Sequence, residues 1–213
     1  MVSLPNLVPF VLVAIPLIIV PGPSVLFVIG RSLSLGRIGG LLSVLGNALG
    51  AFVVTVAVAF GVGVIIAQSL VLFTVVKVIG AAYLIYLGVQ AIRHRREHSD
   101  AATTPVARKS GARLVMQGFV VGVSNPKTIV FFLAVLPQFV DYSAGGIPLQ
   151  MLTLGALFVA IALVSDGVWA LAAGFARDWF AKSPKRIETL GATGGVVMIG
   201  LGVGALFLGH STA

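Results

Sequence analysis

Gly122-Val123-Ser124-Asn125-Pro126-Lys127-Thr128 interrupts an apolar segment that runs from Gln117 to Leu136. Proline carries no backbone N–H, and its ring collides with the carbonyl four residues back, here that of Gly122. Asn125, as the residue before proline, is pushed out of helical geometry. A lysine follows at once. In hydrocarbon, open backbone groups and a cation are both costly. The stretch therefore reads as a broken membrane helix whose break is used for something.

The composition supports a membrane setting. The 213 residues are 58% hydrophobic and only 9% charged, with mean hydropathy +1.11; soluble domains average about 25% charged. Apolar runs beyond about 18 residues predict an all-α polytopic membrane protein. The absence of cysteine excludes disulfides and thiolate metal or redox sites. The net charge of +8 sits in short segments between apolar runs, which fits a membrane surface and not nucleic acid. Met1–Phe10 holds no Lys or Arg, so the first segment is expected to be a true span and not a cleaved signal peptide.

Six spans are predicted, at 7–29, 39–67, 70–92, 115–139, 148–176 and 190–209, with the second and third joined at Gln68-Ser69. Basic residues mark alternate connections. Arg31 and Arg37 lie in 30–38. Arg93, Arg95, Arg96, Arg108, Lys109 and Arg113 lie in 93–114, and Arg177, Lys182, Lys185 and Arg186 in 177–189. The bias predicts these three connections in the cytoplasm and both termini outside. Tyr142 and Trp179 suit interfacial anchors. His94 and His98 have a metal-pair spacing, but no third ligand lies nearby, and a solvated helix end is the expectation.

The halves resemble each other. Pro21-Gly22-Pro23 followed by Ser24 breaks span one as Asn125-Pro126 followed by Lys127 breaks span four. Ile79-Gly80 to Gly88 aligns with Thr193-Gly194 to Gly202 without a gap. Three spans per half force opposite insertion, so the expectation is one transporter domain, 1–213, of two inverted repeats (1–92 and 115–213) around a basic cytoplasmic loop, 93–114. Glycine pairs at 46/50, 118/122 and 200/204 predict close helix packing.

Charged groups inside the spans are few: Lys77, Lys127 and Asp166. Such groups face a cavity, pair with each other or carry a proton. After each proline break a half-helix starts with unpartnered N–H groups and a positive dipole end. Two such starts at mid-depth would suit an anion. Asn47, in Gly46-Asn47-Ala48-Leu49-Gly50, lines that cavity or bonds between helices.

These stretches resemble the lysine exporter family (LysE/RhtB), particularly its homoserine and threonine exporter branch. The resemblance rests on Pro21-Gly22-Pro23, the Gly46/Gly50 pair, Lys77-Val78-Ile79-Gly80 through Gly88, Asn125-Pro126-Lys127-Thr128 with Leu136-Pro137-Gln138-Phe139, and Asp166. It implies export of amino acids or close derivatives across the bacterial inner membrane, driven by the proton gradient. The expected substrate site comprises Pro21, Gly22, Pro23, Ser24, Asn47, Asn125, Pro126 and Lys127, with Asp166 and Lys77 in proton or ion coupling. Lys127 and the half-helix starts would hold the substrate carboxylate, and Asp166 would hold its ammonium or the coupling proton. No cofactor or metal is expected. The partners are an amino acid, protons and the bilayer, not nucleic acid, and Gly-rich faces permit a homodimer. A passive channel, or export of another small solute or a cation, is the alternative. An enzyme is not expected, because the chain lacks a buried carboxylate pair or a Ser/His/Asp set.

Overall fold

The computed structural model describes residues 2–62, 70–94, 110–176 and 183–207. The Gln68-Ser69 connection, His98, Trp179 and most of the basic segment 93–114 lie outside them. The described residues form helices and no strand: α1 Leu4–Ile19, α2 Pro23–Ala57 with a π-turn Val58–Val62, α3 Leu70–Arg93, α4 Gly111–Val123, α5 Pro126–Ala134 with a 3-10 turn Leu136–Phe139, α6 Ile147–Phe175 and α7 Pro184–Phe207.

Two stretches, Pro23–Gly61 and Ile147–Phe175, are long and apolar enough to cross a bilayer. Gly111–Val123 with Pro126–Phe139 makes a third if the bent pair is one span. The outward surface of the helices is apolar, with Leu12 on α1, Ile79 on α3 and Val164 and Phe175 on α6 all exposed. A helix that stays hydrophobic on its outer face belongs in lipid.

The helix from Pro23 to Ala57 bridges what the charge pattern marks as the first connection. Its one non-helical residue is Gly36, at φ 79°, ψ 179°. That positive φ is open to glycine and strained for other residues. The contacts on either side show what it does. Ser24 lies by Asn125 and Arg31 by Gln117, so the first half of α2 runs antiparallel to α4. Gly118 abuts Ser43 and Gly122 abuts Asn47, so the second half runs parallel to it. The chain therefore reverses at Gly36, and one residue replaces a loop.

Glycines set the closest approaches at 46/50 and 118/122, as their spacing predicts, whereas a Cβ on Gly200 or Gly204 would meet nothing within 4 Å. A Cβ on Gly46 or Gly50 would strike the α4 backbone at Val115 or Phe119, and one on Gly118 or Gly122 would strike the α2 backbone at Ser43 or Asn47. Small residues let backbones meet where lipid supplies no hydrophobic drive. The second half of α2 also lies antiparallel along α6, with Gly40 by Ala170 and Thr55 by Gly155. The pair α3 and α7 is antiparallel too, with Gly88 against Gly195 and Gly202 against Ala81.

Phe10, Phe131, Phe132, Phe139 and Phe158 form an aromatic cluster, with ring centroids 5.0 Å apart for Phe132–Phe158 and 5.5 Å for Phe10–Phe139. Beyond it, buried Gln150 donates to the carbonyls of Asp141 and Gly145 and accepts from Asp141 N–H, closing the connection before α6. Asp141 in turn accepts from the Ser143 hydroxyl and from the Ala144 and Ser143 N–H groups, which hold its carboxyl below the usual carboxylate range.

Candidate functional site

Both proline breaks are present. At the second, α4 ends at Val123 and α5 starts at Pro126, with the axis bent by 43°. Asn125 takes an extended conformation (φ −68°, ψ 106°) as a residue before proline must, and its Oδ1 accepts from Lys127 N–H at 3.1 Å. Ser124 Oγ donates back to Val120 O at 2.6 Å. At the first break, α1 ends at Ile19, Val20 and Gly22 are extended, and no side chain caps the start of α2.

The sequence leaves open what holds the first break. In the structure, two donors from the second half of the chain do so. Lys127 Nζ donates to Val20 O at 3.0 Å, and Trp169 Nε1 donates to Ile19 O at 3.0 Å. Both acceptors are carbonyls at the end of α1, where the helix dipole is negative and no further turn supplies a donor. Gly22 makes the reach possible. A Cβ there would stand 3.1 Å from Lys127 Cδ and 3.4 Å from Nζ, so the lysine stem passes across a bare backbone.

The breaks are joined directly. Asn125 Nδ2 donates to Ser24 Oγ at 3.0 Å, so Asn125 caps its own helix with one atom and holds the opposite half-helix with the other. One turn deeper, Asn47 Nδ2 donates to Asp166 Oδ2 at 3.0 Å, linking α2 to α6. That bond fixes which end of the amide faces the carboxylate. Asn47 Oδ1 is left buried without a partner among the described residues.

Ser24, Asn47, Asn125, Lys127, Thr128 and Asp166 line one cavity, and all are buried. Apolar walls come from Leu17, Ile18, Ala51, Phe158 and Leu163. Its free volume is about 30 Å³, enough for about one or two waters. Lys127 and Asp166 face the same space, yet no ion pair within 4.0 Å joins them; the ammonium is placed on Val20 O instead, with two of its three N–H donors still open to the cavity side. Five of the expected site residues thus line the cavity together, Ser24, Asn47, Asn125, Lys127 and Asp166, and Gly22 stands at the first break under the Lys127 stem. Pro21, Pro23 and Pro126 shape the breaks. Lys77 lies on α3, with its side chain outside the described residues.

Trp169 was visible in the sequence only as the neighbour of Asp166. Its role needed the knowledge that α6 passes the end of α1. Gln117 was a lone polar residue in an apolar run, which was a usable signal; it accepts from Arg31 Nη2 at 2.9 Å.

A family model described as "LysE type translocator" matches residues 15–209. A Vibrio cholerae protein described as an uncharacterized membrane protein is 35% identical over 195 residues, 91% of this chain and 93% of that one. The homoserine/homoserine lactone efflux protein of Salmonella typhimurium is 32% identical over 187 residues, 87% of each chain. The leucine efflux protein of the same organism is 33% identical over 131 residues, 62% of this chain and 61% of its own length. No solved structure matches the chain.

Proposed function

The chain belongs to the family of LysE type translocators, which are transporters and not enzymes, and from that premise we propose that it is a secondary active exporter of neutral amino acids or close derivatives. It works across the bacterial inner membrane by proton antiport, with alternating access. The efflux activities named for its relatives, of leucine and of homoserine and its lactone, support an amino-acid substrate.

The observation that carries the reading is a buried cation and a buried anion facing one small cavity between two helix breaks. A zwitterion needs both signs. The uncapped start of α2 and the Lys127 ammonium suit the carboxylate. Asp166 and the free Oδ1 of Asn47 are two acceptors suited to the ammonium, or to the coupling proton on Asp166. A cavity with room for about two waters cannot hold an amino acid, so binding opens it and draws Lys127 off Val20 O.

The architecture that serves this is six spans in two inverted repeats, 1–92 and 115–213, with both termini outside. The reversal at Gly36 supports it by dividing Pro23–Ala57 into two passes. The antiparallel pairs of α2 with α6 and α3 with α7 support a two-fold axis in the membrane plane. Alternating access is then the first break and the first half of α2 rocking against the unit that the glycine contacts make of α4 and the second half of α2.

The test is efflux from cells loaded with leucine or homoserine, with and without an uncoupler. Asp166→Asn keeps the shape and the bond to Asn47 but cannot bind the proton. Proton-driven efflux should fall by about 100-fold, with counterflow retained if the acid serves coupling alone. Full uncoupler-sensitive efflux in the variant would remove Asp166 from the mechanism.

A further inference from the structure

The charge pattern places Arg31 in a solvated connection. In the structure it lies within α2, two turns past Ser24, with its guanidinium turned inward. Nη2 donates to Gln117 Oε1 at 2.9 Å, the guanidinium carbon sits 5.0 Å from the centre of the Phe27 ring, and Nη1 is buried with no partner among the described residues. No described carboxylate pairs with it. A guanidinium has five N–H donors in a planar fork matched to a carboxylate. A single neutral amide oxygen serves it poorly, and a buried N–H of a charged group left open is costly.

Arg31 and Gln117 also belong to a line. The first half of α2 and α4 run antiparallel, and polar bonds cross between the two segments at two places. At one end Ser24 meets Asn125 beside the central cavity; at the other Arg31 meets Gln117. Seven residues separate Ser24 from Arg31, about 10 Å along a helix. The outer end points toward the side that carries Arg37 and Arg113. Phe158, from the phenylalanine cluster, also lines the cavity and offers no polar group.

We infer that the seam between the first half of α2 and α4 is the route by which substrate reaches the cavity from the basic side, and that Arg31 is the first residue to take its carboxylate. Gln117 Oε1 is the stand-in for a carboxylate oxygen while the seam is closed. A substrate carboxylate brings two oxygens and a charge, displaces the amide, and satisfies Nη1 as well as Nη2. Losing the Gln117 bond parts the outer end of the seam. The carboxylate then has about 10 Å to travel to Lys127 and the start of α2. This assignment rests on the export reading above and adds the site that precedes the central one.

The experiment uses membrane vesicles of both orientations and radiolabelled leucine and homoserine. Inside-out vesicles offer substrate to the basic side; right-side-out vesicles in counterflow offer it to the other. Gln117→Glu keeps the length and the bond but presents Arg31 with a permanent carboxylate. KM at the basic side should rise by at least about tenfold, while KM at the other side and the maximal rate stay within about twofold. Arg31→Lys keeps the charge and loses the fork, and should raise the same KM several-fold. Equal shifts on both sides would mark a merely structural bond and overturn the assignment. Unchanged KM in both variants, at normal membrane levels, would overturn it too. Wild-type vesicles that carry neither amino acid would overturn the export of such substrates and Arg31's role with it. A transporting wild type with indifferent variants overturns the role of Arg31 alone.

Discussion

The two helix breaks come from similar sequence and are held in opposite ways. At Ser124-Asn125 the bonds are local. Asn125 caps Lys127 N–H, Ser124 returns to Val120 O, and α4 below them lies backbone against backbone on α2 through Gly46, Gly50, Gly118 and Gly122. At Val20-Pro21-Gly22 no local side chain caps either helix end, and only the backbone bonds Val20 N–H to Pro16 O and Leu26 N–H to Gly22 O are local. The end of α1 relies on Lys127 and Trp169, and the start of α2 has no side-chain cap. The second break can move only by taking the second half of α2 with it. The first can move by exchanging three side-chain bonds, from Lys127, Trp169 and Asn125, and one of those belongs to the lysine expected to bind substrate. The first break is therefore the adjustable wall of the cavity and the second is the fixed one.

The harshest way to break this contrast is Gly122→Leu. Any Cβ at 122 falls on the Asn47 backbone, which cannot step aside as a side chain would. The cost exceeds the roughly 1–3 kcal/mol of ordinary overpacking, and no folded protein should accumulate in the membrane. Normal levels on a blot of detergent extracts would mean the second break is not rigid. Lys127→Met comes next. It keeps the stem over Gly22 and removes the donor to Val20 O. Levels should stay within about twofold, while leucine efflux falls by at least about tenfold. Leucinamide, which lacks the carboxylate, should lose much less. Equal loss for both compounds would place Lys127 in holding α1 and not in holding substrate.

Both breaks were legible in the sequence because proline acts locally: it removes a donor and constrains its neighbour wherever the chain goes. The glycine seams were legible for a similar reason, since i, i+4 spacing puts both residues on one face. The gathering of Ser24, Asn47, Asn125, Lys127 and Asp166 followed from the cost of polar groups in lipid. What could not be read was which atom satisfies which. Lys127 and Asp166 have opposite charges, and the sequence suggests a pair; the structure gives the ammonium to Val20 O, because the end of α1 needs a donor and lies across the bare backbone of Gly22. The turn at Gly36 was hidden for a different reason. One glycine with positive φ reverses the chain where the charge pattern suggested a nine-residue connection, 30–38, and this put Arg31 inside a helix facing Gln117.

The finest test of the contrast is also its smallest effect. Trp169→Phe removes one hydrogen bond at the first break, to Ile19 O, and leaves an aromatic ring in place. A bond of this kind is worth about 0.5–1.5 kcal/mol, so Tm in detergent should fall by about 2–4 °C. Asn125→Ala removes the cap at the second break and the link to Ser24, and a lost N-cap costs about 1 kcal/mol, so its Tm should fall by a similar amount or more. The two variants separate by where the loss appears. Hydrogen exchange in Trp169→Phe should quicken in peptides that contain Val20 and Gly22 and stay unchanged around Ser124, because the bonds there are local. In Asn125→Ala it should quicken around Lys127 and also around Ser24, because Asn125 serves both. An adjustable wall leaning on a fixed one predicts this asymmetry: damage at the fixed break spreads to the other, and damage at the adjustable break does not spread back. Symmetrical spreading would mean that the two breaks move as one unit, and rocking would then have to be sought at the α3–α7 contact.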